Sequence, residues 1–190
     1  MKEDNLKQEY HELRPLIERL CFNLEQEIKR LLLNENIALA FPIQVRAKEL
    51  LSIISKTSSG RYTIKNSVTE LQDLVGIRII TLFKKDSDQL LDLVKETFNV
   101  LKIYNTAEKL ENNQFGYSSV HVIARIPQEW TTVPSYKGTS DFTIEIQIRT
   151  ISEHAWAEVS NALQYKKESD VPKELSRGIG RISALLELVD

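Results

Sequence analysis

Residues 143–149 alternate without a break. Ile144, Ile146 and Ile148 fall on one side, and Thr143, Glu145, Gln147 and Arg149 on the other. A period of two over that length describes a strand with one face in a core and the other carrying charged, amide and hydroxyl groups. A second run, residues 75–83 (VGIRIITLF), is apolar almost throughout, as a strand buried on both faces would be, yet Arg78 interrupts its middle. A guanidinium in that position needs a carboxylate partner or a planar ring to stack on.

Two further β-rich runs, residues 99–105 and 118–126, join 75–83 and 142–149 to complete four expected strands. In the second, Ser119 and His121 share one side with Tyr117, and Val120, Val122 and Ala124 share the other. Helical spacing of apolar residues predicts helices over 4–33 (with Pro15 as a kink or boundary), 43–56, 67–73, 86–98, 151–165 and 172–189. Residues 106–116 and 128–141 read as loops. The expected fold class is α+β, a mixed sheet flanked by helices. At 190 residues, 42% of them hydrophobic, the chain is expected to form one domain. Its parts are a helical N-terminal segment (1–42), a core (43–166) and a C-terminal helix (167–190). That last helix stops without a capping signal, as a fragment of a longer chain would.

No run of 18 apolar residues and no signal-peptide core is visible, so the cytosol is the expected location and no membrane partner is expected. Cys21 is the only cysteine, which excludes an internal disulfide and multi-cysteine zinc patterns. The three histidines, His11, His121 and His154, are too scattered for zinc hydrolysis. The net charge of −2 argues against a protein that coats DNA, but residues 44–85 hold Arg46, Lys48, Lys56, Arg61, Lys65, Arg78, Lys84 and Lys85 against only Glu49, Glu70 and Asp73. That basic stretch suits an anionic ligand. On the helix expected over 43–56, Ala47, Leu50, Leu51 and Ile54 form an apolar stripe, and Lys48, Ser52 and Lys56 form a row at i, i+4 and i+8 fit for a polyphosphate. Asp73 and Glu145 suit magnesium, which takes one or two carboxylates and completes its shell with water and phosphate oxygens.

Taken together and in order, VRAKELLSIISK, LQDLVGIRII, FGYSSVH and IEIQIRTISEHAWAEVSNALQYK resemble the synthetase domain of the RelA/SpoT alarmone synthetases. The resemblance implies a nucleotidyltransferase-like fold and magnesium-dependent transfer of the β,γ-pyrophosphate of ATP to the 3′-hydroxyl of GDP or GTP. It implies that Arg46 and Arg78 sandwich the adenine and that Lys48, Ser52 and Lys56 hold the ATP phosphates, with Gly76 allowing close approach. By the same resemblance Asp73 and Glu145 carry magnesium, and Glu145 assists deprotonation of the attacking hydroxyl. Tyr117 stacks on the acceptor base, while Ser119, His121, Gln147, Arg149 and His154 border the acceptor.

The chain also departs from the family pattern. Asn112 and Asn113 stand where a Pro-Lys pair is usual, Phe115 where an asparagine is usual, and Ser160 and Asn161 where many small synthetases have Glu-His. These differences keep two alternatives in view. One is a toxic relative that pyrophosphorylates the tRNA 3′ end or makes adenosine alarmones. The other is a nucleotide-binding module without turnover. No hydrolase activity is expected, since the family's histidine-aspartate domain is not in these 190 residues. A second copy of the chain, an antitoxin or a further domain are the partners the resemblance leaves open.

Overall fold

Parallel pairing between two central strands organises the sheet. The computed structural model describes residues 2–106 and 119–164, together with Arg181 and Leu185. Its strands are β1 (Gln44–Ala47), β2 (Val75–Thr81), β3 (Asn99–Asn105), β4 (Val120–Arg125) and β5 (Ile144–Thr150), in the spatial order β1-β2-β5-β4-β3. β2 and β5 run parallel, and the other neighbours are antiparallel. The mixed sheet with flanking helices agrees with the α+β expectation.

Among the described residues the continuous α-helices are α1 (Glu3–Asn34), α2 (Leu50–Ser58), α3 (Lys84–Thr97) and α4 (Ile151–Gln164). Ile77, Ile79, Val122, Ala124, Ile144, Ile146 and Ile148 turn one face of the sheet into a core shared with Ile17, Leu20, Leu24 and Ile28 of α1 and Leu90 and Val94 of α3. The alternation in β5 carries over directly, its isoleucines buried and Glu145, Gln147 and Arg149 half-buried on the opposite face. Helix α1 runs through Pro15, so that residue marks no boundary. Among the described residues no helix is long and apolar enough to cross a membrane.

The helix expected over 43–56 is a correction. Residues 44–47 form an edge strand antiparallel to β2, and the helix begins only at Leu50. An open edge of β2 offers a row of backbone partners, and pairing with them overrides a local helical pattern that Pro42 already limits at its N-terminal side. The expected apolar stripe changes too: Leu51 is 80% exposed, and Ile53 is the fully buried residue of α2. Residues 67–73 shorten to a 3-10 turn, Val68–Glu70, and the loop 128–141 contains two more, Gln128–Thr132 and Pro134–Tyr136. Of the helix expected over 172–189 only Arg181 and Leu185 are described, both helical, and most of 106–116 lies outside the described residues.

Helix α1 also braces the chain beside the sheet. The buried Tyr10 donates its hydroxyl to the carbonyl of Lys48 at 2.7 Å. Glu9 accepts from the Ser67 hydroxyl at 2.6 Å and from the Val68 amide at 3.0 Å, which caps the 3-10 turn. Replacing Tyr10 with Phe leaves a part-buried carbonyl without its partner. That should cost about 1–3 kcal/mol, read as a lower urea midpoint at unchanged slope. An unchanged midpoint would show that the Tyr10 bond does not brace the fold.

Candidate functional site

Strand register sets two rows of side chains across the polar face. One is Gln44, Arg78, Gln147, His121 and Tyr104, and the other is Arg46, Gly76, Glu145, Ile123 and Lys102, each residue paired with the next on the neighbouring strand. Asp73 enters from the turn before β2, and α4 reaches the same face, where Glu158 lies 3.7 Å from the Arg78 guanidinium. Gln44, Arg46, Lys48, Asp73, Gly76, Arg78, Glu145 and Gln147 line one cleft. A second cleft, bordered by Arg61, Tyr62, Gln72, Tyr104 and Ile123, shares Asp73 and Glu145 with the first. The two carboxylates therefore stand on the boundary between two cavities.

Neither carboxylate is exposed, and each is already engaged. Glu145 accepts from His121 Nδ1 at 2.9 Å and Tyr104 Oη at 3.0 Å on one oxygen, and from Gln147 Nε2 at 3.1 Å on the other. Burial alone would raise its pKa, but the hydrogen bond and charge of His121, helped by Gln147 and Tyr104, outweigh burial and hold it at about 2. Because that value is depressed, the stability it contributes is complete above the ordinary carboxylate pKa and is lost as pH falls from there toward 2. Burial, then the neighbouring Glu145, pushes the Tyr104 phenol up to about 12, so it stays a donor. Asp73 accepts from Tyr62 Oη at 2.7 Å and from the Lys48 ammonium, both on Oδ2. Burial pulls the Lys48 ammonium down in pKa, but Asp73 and Tyr62 more than compensate and the net shift is upward.

The residues singled out from sequence do not all gather at one point. Arg46, Lys48, Gly76, Arg78, Asp73, Glu145 and Gln147 share the first cleft. Lys48 precedes α2 instead of lying on it, so the i, i+4, i+8 row is replaced by a different proximity: Lys48 and Lys56 both approach the Tyr62 ring, at 5.2 and 5.1 Å from its centroid. Ser52 and Lys56 are half-buried on α2 and line neither cleft, Lys56 reaching the second only through its contact with Tyr62. Ser119, His121 and Glu145 are aligned like a hydrolytic triad, with Ser119 Oγ 2.7 Å from His121 Nε2. Ser119 is only 1% exposed and also contacts Thr106, so it orients the imidazole and does not present a nucleophile. His154 stands at the far end with Arg149, edge-on to Phe41 at 5.6 Å, its pKa lowered by burial and by the charges of Arg78 and Arg149. Asn112, Asn113, Phe115 and Tyr117, and the side chains of Ser160 and Asn161, lie outside the described residues.

Sequence reasoning missed Tyr62, Tyr104 and Gln44. Tyr104 sits two residues from Lys102 on an expected strand, a usable signal, but its pairing with His121 depends on register across a long connection. Tyr62 follows a Gly60 turn and carries no periodic signal at all.

With the geometry in place, similarity to known proteins can be set beside it. The chain is 29% identical over 149 residues to GTP pyrophosphokinase YwaC of Bacillus subtilis, covering 76% of this chain and 68% of that one. It is 26% identical over 149 residues to GTP pyrophosphokinase YjbM of the same organism, covering 76% and 66%. Its fold matches the crystal structure of small alarmone synthetase 1 from Bacillus subtilis with a TM-score of 0.74 at 23% identity, covering 95% of this chain and 91% of that one. The same enzyme bound to its product pppGpp matches with a TM-score of 0.70 at 24% identity, covering 97% and 93%. Residues 45–170, which hold all of the polar face just described except Gln44, match the family described as "Region found in RelA / SpoT proteins", and the chain belongs to that family.

Proposed function

We propose that this chain is an ATP-dependent pyrophosphokinase that transfers the β,γ-pyrophosphate of ATP to the 3′-hydroxyl of GDP or GTP, forming (p)ppGpp. The observation that carries this reading is the pair of clefts meeting at Asp73 and Glu145. A transfer reaction needs a donor pocket and an acceptor pocket with the reacting atoms between them, and family membership supplies the chemistry. In the balanced step the 3′-oxygen bonds to the β-phosphorus of ATP, the bond from that phosphorus to the α,β-bridging oxygen breaks, AMP leaves, and the hydroxyl proton passes to solvent. Little covalent work falls to the protein, so positioning and charge neutralisation dominate.

In this reading the first cleft takes ATP. Arg46 and Arg78, on neighbouring strands, offer guanidinium planes for the adenine, and Lys48 and Lys56 offer ammoniums for the phosphates. The second cleft takes the acceptor, where Arg61 offers a cation and Tyr104 aromatic surface. Two carboxylates bordering one space are a hard oxygen donor set that fits magnesium, and Asp73 and Glu145 would hold it. When bound, magnesium neutralises phosphate charge. Glu145 borders both clefts, where it would also assist the passage of the hydroxyl proton to solvent.

The test is AMP release from labelled ATP with magnesium and, separately, GDP, GTP, ATP or deacylated tRNA. Product with GDP or GTP is expected; product with tRNA alone would replace the acceptor, and no AMP with any of them would refute transfer. Asp73→Asn and Glu145→Gln should each lower the rate by at least about a hundredfold, the scale for losing a preorganised charge contact. Wild-type turnover in either would overturn the assignment of the carboxylates.

Gly76 separates donor binding from folding. A Cβ built there would meet the Arg46 side chain at 3.9 Å and the Arg46 carbonyl oxygen at 4.0 Å, which is ordinary contact. Gly76→Ala should therefore fold with a urea midpoint close to the parent's, yet bind a non-hydrolysable ATP analogue more weakly in calorimetry. Arg46→Ala or Arg78→Ala should weaken the same analogue by about tenfold, within the range of a desolvated cation–π contact, and leave acceptor binding unchanged. Equal losses for analogue and acceptor would sink the division into two pockets.

A further inference from the structure

Tyr62 is the point where the two donor lysines and one of the two carboxylates meet. Its hydroxyl donates to Asp73 Oδ2 at 2.7 Å and accepts from Lys56 Nζ at 3.3 Å. Its ring receives the Lys48 ammonium at 5.2 Å and the Lys56 ammonium at 5.1 Å. Two cations drawn to one site repel each other, and the Lys56 ammonium is pushed down in pKa first by burial and then by the Lys48 charge. The electron-rich ring face attracts both, which offsets that repulsion without adding a formal negative charge that would compete with phosphate. The hydroxyl acts on a different partner, fixing the rotation of the Asp73 carboxylate by the oxygen that Lys48 also holds. Lys48 cannot serve both Asp73 and a polyphosphate with full strength, so when phosphates draw it away the Tyr62 hydroxyl is the bond left to hold the carboxylate.

We propose that Tyr62 is a positioning residue for the transfer, with two separable parts: its ring pairs the Lys48 and Lys56 ammoniums for the ATP phosphates, and its hydroxyl presents Asp73 to the metal. The inference rests on the pyrophosphokinase reading, and it places a determinant in the turn after α2 outside the lysine row and the carboxylate pair themselves.

The two parts come apart by substitution. Tyr62→Phe keeps the ring and removes the hydroxyl, and Tyr62→Leu removes both. Calorimetry with a non-hydrolysable ATP analogue at a series of magnesium concentrations reads them independently of turnover. Tyr62→Phe should bind the analogue at saturating magnesium within about twofold of the parent but need about fivefold more magnesium to reach half-maximal affinity, whereas Tyr62→Leu should also lose about tenfold in affinity at saturation. In turnover, Phe should raise KM for ATP at limiting magnesium but not at saturating magnesium, and Leu should raise it at both. The raised magnesium requirement of Phe is the signature that a packing role would not produce, and circular dichroism and urea midpoints establish that both variants are folded. Parent-like magnesium dependence in Tyr62→Phe, or equal analogue affinities for Phe and Leu, would overturn the proposal. Failure of the parent itself to bind the analogue would overturn the pyrophosphokinase reading instead.

Discussion

The parallel pairing of β2 with β5 is the constraint from which the site follows. It sets Gly76 beside Glu145 and Arg78 beside Gln147, and the antiparallel neighbours extend those two rows to Arg46 and Gln44 on one edge and toward His121 and Tyr104 on the other. A slip of one residue would send Glu145 and Gln147 into the core and bring isoleucines to the polar face. Burying Ile144, Ile146 and Ile148 against α1 and α3 therefore fixes the chemistry on the opposite side without any direct contact with it. At roughly 1.5–3 kcal/mol for each fully buried isoleucine, that register is held far more firmly than the polar contacts alone could hold it.

Charge on the polar face is largely compensated before any ligand arrives. Lys48 lies on Asp73 and the Arg78 guanidinium near Glu158, while His121 is hydrogen-bonded to Glu145. Part-buried charges without partners are expensive, so a site that must handle a highly charged substrate gains stability by pairing its own cations and anions. A polyphosphate with a divalent cation brings both signs and can exchange partners with the Lys48–Asp73 pair in one event. A cation or an anion alone would have to break that pair and leave one member buried and unmatched. The Glu145 cluster is built differently, since three donors converge on its carboxylate and keep it ionised whatever happens at Asp73.

How far this was legible in the sequence depended on the range of the interaction. The alternation in residues 143–149 and the Arg78 interruption are local, and both carried over to the observed faces of β5 and β2. β1 was hidden because four residues cannot declare a strand against a helical pattern when the deciding partner, the edge of β2, lies about thirty residues away. The proximity of Lys48 and Lys56 was anticipated for the wrong reason: they come together over Tyr62, and no helical row exists. Tyr62 itself was illegible. A single aromatic after a glycine turn has no period, and only the folded chain shows that it touches residues fourteen positions before it and eleven after.

The brace supplied by α1 explains how the parts of the site that lie outside the strands keep their geometry. Lys48 follows an edge strand, and Asp73 sits in a turn, positions where backbone hydrogen bonds are few and local opening is easiest. Tyr10 holds the backbone carbonyl at Lys48 and Glu9 caps the turn at Ser67 and Val68, so two adjacent residues on one helix secure the segments that carry the lysine and lead into the aspartate. The Lys48 amide adds a bond to the carbonyl of Leu74, directly joining the lysine's segment to the residue after Asp73. The distance between the ammonium and the carboxylate is therefore set by backbone restraints on both sides and not by the ion pair alone. When a ligand parts that pair, those restraints keep the two groups facing the same cleft.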